Sequence, residues 1–262
     1  MNLVIHRGKI NNCQENSIEG INAINDIIHD SIIEIDISPT KDDRAILFHD
    51  LSLNRLCNID IPIFTLKLDE LNKIQNLYIF TSLEDILNIF PNQKFLLDLR
   101  CNLHPDFFPT SNIDISAIKI NLKDKMLNSL QKILKNEYKN NLTIMCSEVE
   151  SAIAIKATFP LFQVDISENY LRQYLQTITE TKDISIIGFK PSNVHIQNKL
   201  LSKELVEIFH KENIKVYSTP SLTPSFENST IMTEKALKLK VDSIWLNYID
   251  ENILSKYFKG KK

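Results

Sequence analysis

The sequence lacks the features that mark disulfide-stabilised, zinc-structured and membrane-anchored proteins. Its four cysteines, Cys13, Cys57, Cys101 and Cys146, stand singly, without a CxxC pair or another short spacing. This pattern argues against a structural zinc site and against a disulfide framework. No apolar run approaches the roughly 20 residues of a membrane span, and the first predicted strand leads into His6 without room for a cleavable signal segment. We therefore expect a reduced, cytoplasmic protein without a membrane anchor.

A surplus of one charge sign is also missing, because 30 basic and 33 acidic residues are interspersed and give a net charge of −3. Such a balance gives no electrostatic reason to expect a nucleic-acid partner or an anionic membrane surface. Glycine is scarce, with 4 residues in 262, and we expect asparagine to take many turn positions instead. The apolar content of 43% and the charged content of 24% are ordinary for a globular protein, which argues against extensive disorder.

Strand and helix patterns alternate along the chain, except over residues 51–93, which form a mixed connecting segment. Strands that alternate with helices favour a parallel sheet, and eight such strands favour a closed barrel. No linker rich in proline, glycine or serine divides the chain. We therefore predict an α/β fold, a (β/α)8 TIM barrel, with residues 1–262 as a single domain. The predicted strands are residues 2–6, 32–37, 95–99, 142–146, 161–166, 184–189, 215–218 and 243–246.

Two carboxylates stand out in the second predicted strand. Ile33, Ile35 and Ile37 fall on one face of this strand. Glu34 and Asp36 therefore share the other face, about 7 Å apart by the rise of a strand. Because an unpaired buried charge is strongly unfavourable, these two acids need a counter-charge, and a divalent cation is the simplest one.

Asp98 repeats this pattern in the third predicted strand, where it shares a face with Arg100. Together with Glu34 and Asp36 it completes a set of three oxygen ligands. Oxygen ligation suits a hard cation, Mg²⁺ or Ca²⁺, better than zinc. A zinc amidohydrolase is disfavoured for a further reason, because the sequence has no His-x-His pair.

Two histidines are expected on the same rim of the barrel as these acids. His6 ends the first strand, and His49 lies in the loop after the second, while active sites of such barrels lie at the C-terminal ends of the strands. Two histidines on opposite sides of a phosphorus atom suit general acid and base catalysis. Arg7 and Arg100 suit a phosphate, which a guanidinium group binds in a bidentate manner.

Five short motifs between residues 6 and 55 resemble, in order and spacing, the N-terminal signature of the glycerophosphodiester phosphodiesterase family. The motifs are His6-Arg7-Gly8, Glu15-Asn16-Ser17, Glu34-x-Asp36, His49-Asp50 and Leu53-x-Arg55. A weaker likeness continues to the last predicted strand. The resemblance implies a TIM barrel that uses a divalent cation to hydrolyse a small-molecule glycerophosphodiester to glycerol 3-phosphate and an alcohol.

Carried over residue by residue, the resemblance also implies roles for individual side chains. The implied set is His6 and His49 as the catalytic pair, Glu34, Asp36 and Asp98 as metal ligands, and Arg7, Arg100 and Glu15 at the phosphate or substrate. Asn16 is interpreted as a helix cap, and His195 and His210 as surface or core histidines. The oligomeric state stays open.

The sequence departs from the family pattern in the second half of the barrel and in two site residues. Asp98 stands where glutamate is usual, Arg100 replaces a lysine, and Asn247 stands where aspartate is typical. Residues 216–219 lack the usual tryptophan-containing pattern. Two alternatives therefore stay open: a lyase of the sphingomyelinase D type that forms a cyclic phosphate, and a barrel that binds phosphoesters without turnover.

Overall fold

The structure is a computed structural model that describes residues 1–10, 13–74, 78–103, 107–108, 111–221, 225–247, 249 and 251–258. Eight parallel strands form a closed barrel, because β1 pairs with both β2 and β9 and the remaining strands follow in order around the sheet. The predicted (β/α)8 barrel is confirmed. The strands are β1 (Asn2–Ile5), β2 (Ile32–Pro39), β3 (Ala45–Leu47), β4 (Lys94–Leu99), β5 (Leu142–Cys146), β6 (Gln163–Ile166), β7 (Asn193–Gln197), β8 (Lys215–Thr219) and β9 (Ser243–Leu246).

The extra strand β3 pairs antiparallel with the end of β2, with Ile37 opposite Leu47. It returns the chain beside the C-terminal end of β2, so the loop that carries His49 starts at the rim of the barrel. A second apolar cluster, separate from the main core, packs behind this loop and includes Phe48, Phe64, Tyr78 and Phe108. The mixed segment over residues 51–93 thus forms a packed layer beside the rim.

Helices lie between the barrel strands, and serine side chains begin several of them. Ser17 accepts a hydrogen bond from the Gly20 amide at 3.1 Å, and Ser202 caps its helix in the same way. None of the helices in the described ranges combines the length and apolar character that a membrane span needs. The helices are α1 (Ile18–Asn25), α2 (Asn54–Cys57), α3 (Leu68–Asn72), α4 (Leu83–Ile89), α5 (Leu122–Ile133), α6 (Val149–Thr158), α7 (Glu168–Leu171), α8 (Leu175–Thr181), α9 (Lys203–Lys211), α10 (Phe226–Leu239) and α11 (Glu251–Tyr257).

The alternation of side chains along each strand divides the core into two layers. Ile33, Ile35 and Ile37 are fully buried in the outer layer, between the strands and the helices. The inward faces form a smaller apolar cluster within the barrel. Because β2 sends its apolar face outward, its acidic face points into the barrel. The residues of the inner cluster are Val4, Leu96, Met145, Tyr217 and Trp245.

The prediction of a strand over residues 184–189 is wrong. Ser185–Ile187 forms a short 3-10 helix that ends at Gly188 with a φ of +75°, a conformation incompatible with an extended strand. The barrel strand is β7, whose residues pair along their whole length with β8. Its central side chain is the polar His195, which masks the usual apolar strand pattern.

Close backbone contact between α1 and the turn after β1 gives a first prediction. A Cβ atom at Gly20 would clash with the backbone oxygen of Gly8, so we expect Gly20→Ala to lower the free energy of unfolding by about 1–3 kcal/mol. Urea unfolding measures this change. Asn22→Ala, at an exposed position of the same helix, is the matched control and should change stability little. Equal stability of Gly20→Ala and the natural protein would show that the two segments are less closely packed.

Candidate active site

Three carboxylates from β2 and β4 meet inside the barrel. Asp36 and Asp98 are direct neighbours in the register of these strands, and Glu34 points to the same side of the sheet. One oxygen from each of the three side chains lies within 4.8 Å of the others. Glu34 and Asp36 are fully buried, and Asp98 is nearly so. The structure therefore brings together the set that the sequence predicted as oxygen ligands.

Arg100 supplies the counter-charge for two of these carboxylates. Its Nε donates to Asp36 Oδ1 at 3.0 Å, its Nη2 contacts the same oxygen, and Nη2 also lies 2.8 Å from Asp98 Oδ2. The guanidinium carbon sits 4.8 Å from the centre of the Phe107 ring, a distance typical of a cation–π contact. Arg100 thus balances part of the charge of the acid cluster while it also lines the adjoining cavity.

The three acids differ in how readily they ionise. Burial, reinforced by the neighbouring Asp36 and Asp98 carboxylates, raises the pKa of Glu34 well above its usual range. Burial also raises the pKa of Asp98, against the opposing effect of Arg100. Although burial acts in the same direction on Asp36, the attraction of Arg100 and of nearby cationic groups lowers the pKa of this carboxyl. Asp36 is therefore the charged anchor of the cluster.

Two carboxylate oxygens of the cluster have no hydrogen-bond partner among the described residues. They are Glu34 Oε1 and Asp98 Oδ1, and both are buried. Buried polar atoms are almost always paired in native proteins, so two unpaired carboxyl oxygens are compatible with a bound cation. Hard oxygen donors of this kind fit Mg²⁺ or Ca²⁺.

The turn after β1 holds the rim together around Glu34. Arg7 adopts a left-handed backbone with a φ of +57°, and this geometry turns its amide toward Glu34 Oε2 at 2.7 Å. His6 Nε2 lies 3.9 Å from the same oxygen, and its ring contacts Trp245 at 5.5 Å between centroids. Burial, with the Arg7 guanidinium beside the ring, lowers the pKa of His6 to about 3.

His49 is oriented by a carboxylate that is itself held by an arginine. His49 Nδ1 and Asp50 Oδ1 are 2.5 Å apart, and Arg55 Nε donates to Asp50 Oδ2 at 2.6 Å. Arg55 also donates to Glu15 at 2.6 Å, and Glu15 pairs with Arg7 at 3.4 Å. A continuous chain of charged hydrogen bonds thus links His49 to the turn that carries His6. Because this chain of hydrogen bonds holds Nδ1 of the His49 ring, Nε2 is the nitrogen that can contact a reacting group.

The interpretation of Asn16 as a helix cap is wrong, because Ser17 caps α1. Asn16 is fully buried and makes two hydrogen bonds with Asp36: its Nδ2 donates to Oδ2 at 2.8 Å, and its Oδ1 accepts from the Asp36 amide at 3.0 Å. A left-handed φ of +56° places the side chain there. Asn16 is therefore a support of the carboxylate cluster.

A cavity of about 270 Å³ opens beside these groups. Five of the predicted site residues line it, namely His6, Arg7, His49, Asp98 and Arg100. Glu34 and Asp36 do not line the cavity, and neither does Glu15, which is engaged by Arg7 and Arg55. The opposite wall contains residues that sequence reasoning did not assign to the site: Met145, Ser167, Asn169, His195, Thr219, Pro220, Trp245 and Asn247.

The interpretation of His195 as a surface or core histidine missed its position in this wall. His195 is nearly fully buried, and its Nε2 lies 2.9 Å from Asp165 Oδ2. The only sequence signal was the pair of polar residues at the centres of β6 and β7. The sequence prediction placed this strand at residues 184–189, so it gave no reason to pair His195 with Asp165.

Known proteins match this chain in family and in fold. The model of the glycerophosphoryl diester phosphodiesterase family matches residues 6–251, whereas no curated protein matches the sequence. A phosphodiesterase from Oleispira antarctica, solved in complex with the product sn-glycerol-3-phosphate, is similar with a TM-score of 0.69 and 16% identity, covering 94% of this chain and 92% of that one.

Two further solved structures show the same likeness in fold. A glycerophosphodiester phosphodiesterase from Thermotoga maritima has a TM-score of 0.63 and 16% identity, with 93% of each chain covered. A glycerophosphoryl diester phosphodiesterase from Parabacteroides distasonis has a TM-score of 0.68 and 16% identity, covering 100% of this chain and 88% of that one.

The paired hydrogen bonds between Asn16 and Asp36 give a second prediction. Asn16→Ala leaves the buried Asp36 amide and carboxylate without these partners, so we expect the free energy of unfolding to fall by about 1–3 kcal/mol. Chemical denaturation checks this value. Asn128→Ala, at an exposed site in α5, serves as the control. If both variants unfold at the same denaturant concentration, Asn16 does not support the cluster.

Proposed function

The chain belongs to the glycerophosphoryl diester phosphodiesterase family and is thus a phosphoric diester hydrolase, and we propose that it hydrolyses a glycerophosphodiester to glycerol 3-phosphate and an alcohol. The observation that carries this proposal is the cavity in which His6 and His49 adjoin a buried cluster of three carboxylates. The Oleispira antarctica structure, which holds sn-glycerol-3-phosphate as product, supports the same choice of substrate.

We propose that Glu34, Asp36 and Asp98 hold a divalent cation, Mg²⁺ or Ca²⁺. The unpaired buried oxygens of Glu34 and Asp98 support this assignment, because a cation would satisfy both. When bound, such a cation neutralises charge that develops on the phosphate oxygens. Asn16 and Arg100 keep Asp36 in place, which pre-organises the ligands before the ion arrives.

Arg7 and Arg100 are the residues that we propose to face the phosphate. Both line the cavity, and each is held by a carboxylate, Arg7 by Glu15 and Arg100 by Asp36 and Asp98. Such anchoring limits the conformational freedom that each side chain would lose on binding an anion. Glu15 therefore acts on the substrate through Arg7 and not by contact.

His6 and His49 are proposed as the general acid and base. Asp50 is hydrogen-bonded to Nδ1 of His49. Nε2 is therefore the ring nitrogen that can exchange a proton with the reacting groups. His6 is oriented by the Trp245 ring, whose centroid lies 5.5 Å from that of the imidazole. The two histidines sit on different segments of the rim, which allows one to take a proton from the nucleophile while the other supplies one to the departing alcohol.

We also propose that residues 1–262 act as one domain on a small-molecule phosphodiester, without a nucleic-acid partner. The four free cysteines, three of them buried, support a reducing, cytoplasmic location.

Metal binding gives a third prediction. We expect Mg²⁺ or Ca²⁺ to raise the thermal midpoint of the protein, since a ligand at 100 times its Kd adds about 2.7 kcal/mol to stability. Glu34→Gln removes one anionic ligand and should lose most of this shift. Glu137→Gln, on an exposed side chain, should keep it. A full metal response in Glu34→Gln would contradict the assignment of Glu34 as a ligand.

The reaction gives a fourth prediction. Removal of the imidazole in His49→Ala should lower kcat for a glycerophosphodiester by about 10²- to 10⁴-fold, with circular dichroism unchanged. His29→Ala, which alters an exposed histidine, should retain the natural rate. Turnover is measured by release of the alcohol, with Mg²⁺, Ca²⁺ or Mn²⁺ present.

Phosphorus NMR of the products tests the alternatives in the same samples. A glycerol 3-phosphate signal supports hydrolysis, whereas a cyclic phosphate signal supports the lyase reaction. Near-normal turnover by His49→Ala would refute the acid–base assignment. Ligand-induced stabilisation without any product would favour a barrel that only binds phosphoesters.

A further inference from the structure

The cavity wall opposite the carboxylates contains several buried polar atoms without hydrogen-bond partners among the described residues. These atoms belong to side chains in or directly after β6, β7 and β9. Native proteins leave few buried polar groups unpaired, and here the unpaired atoms share one cavity. They are Ser167 Oγ, His195 Nδ1, Trp245 Nε1 and Asn247 Oδ1.

His195 is the member of this wall whose ring has an identified hydrogen-bond partner. Its Nε2 lies 2.9 Å from Asp165 Oδ2, and an ionised carboxylate only accepts hydrogen bonds. Nε2 therefore carries the hydrogen, and in the neutral imidazole Nδ1 is left as an acceptor. Asp165 is fixed in turn by the Asn193 amide at 3.0 Å and by Asn193 Nδ2 at 2.8 Å.

The imidazole ring has little freedom to turn away from the cavity. It packs edge-on against Tyr217 at 4.9 Å and against Trp245 at 5.4 Å between ring centroids. Trp245 also contacts the ring of His6. The unpaired acceptor thus belongs to a ring that is separated from a proposed catalytic histidine by one indole ring.

The chemistry of this wall differs from that of the carboxylate side. The charged side chains that line the cavity in the described ranges are Arg7, Asp98 and Arg100, all on the carboxylate side. The opposite wall offers neutral donors and acceptors with aromatic surface. Such a wall suits a neutral, hydroxylated part of a ligand better than a second charged group.

We propose that His195 is a specificity-determining residue whose Nδ1 accepts a hydrogen bond from a hydroxyl group on the glycerol arm of the substrate. The inference rests on the proposed function. A deoxy arm would leave the buried Nδ1 unpaired, and sites built to hydrogen-bond a hydroxyl reject the analogue that lacks it. Asp165 acts through His195 as a positioning residue, because it fixes the tautomer.

The test compares two substrates with the same leaving group, p-nitrophenyl glyceryl phosphate and p-nitrophenyl n-propyl phosphate. We expect the natural protein to prefer the glyceryl ester at least about ten-fold in kcat/KM. His195→Phe retains ring packing but removes both nitrogens, and it should lose this preference. His195→Gln retains a carbonyl acceptor and should recover part of it.

His210→Phe is the matched control for these variants. His210 also pairs with an aspartate, Asp242, at 2.9 Å, but in an exposed position, and it does not line the cavity. The control should keep the natural preference. A folded His195→Phe protein that keeps it as well would overturn the proposal.

A binding experiment separates this inference from the proposed function. Calorimetry with sn-glycerol 3-phosphate and n-propyl phosphate, each with Mg²⁺, needs no turnover. We expect tighter binding of the glycerol ester, and nitrogen-15 NMR should show a shift of His195 Nδ1 with that ligand alone. If neither ester is hydrolysed, the proposed function fails while the binding preference still supports the His195 assignment. Equal binding of the two phosphates, or an unmoved Nδ1 signal, would overturn it.

Discussion

Three buried carboxylates on neighbouring strands impose the constraint on which the rest of the site depends. Like charges this close repel strongly where water is excluded, and burial alone disfavours each ionised form. Arg100 bridges Asp36 and Asp98, and the amide of Arg7 turns toward Glu34. These contacts neutralise the cluster only in part, since two buried oxygens remain unpaired. These unpaired oxygens are compatible with the proposed cation site.

The same need for neutralisation ties distant segments together. Glu15 receives Arg55 on one side and Arg7 on the other, and Arg55 extends the chain of charges to Asp50. The turn after β1 and the loop after β3 are thus joined by hydrogen bonds between charged groups, which are stronger than neutral ones. Loops carry the proposed catalytic histidines, but this network fixes them to the rigid barrel.

The two walls of the cavity have different origins in the chain. The charged wall comes from the first hundred residues, whereas the unpaired polar groups of the neutral wall come from side chains in or directly after β6, β7 and β9. The family resemblance is specific in the first part, and the sequence departs from the family pattern in the second. This division is physically sensible, because the phosphate is common to all phosphodiesters while the groups attached to it vary. In the roles proposed above, the charged wall acts on the phosphate, and the neutral wall selects the arm attached to it.

The sequence by itself determined the barrel, because strand and helix patterns are local, and it determined the carboxylate set, because Glu34 and Asp36 lie on one strand face. It also predicted which rim would carry His6 and His49, since parallel strands end at the same edge. Only the tertiary structure decided the pairing of His195 with Asp165, which depends on a contact between neighbouring strands about thirty residues apart in sequence. Local sequence patterns predict the conformation of a segment. They do not predict which distant side chain will pair with a buried polar residue, because folding brings that partner into contact.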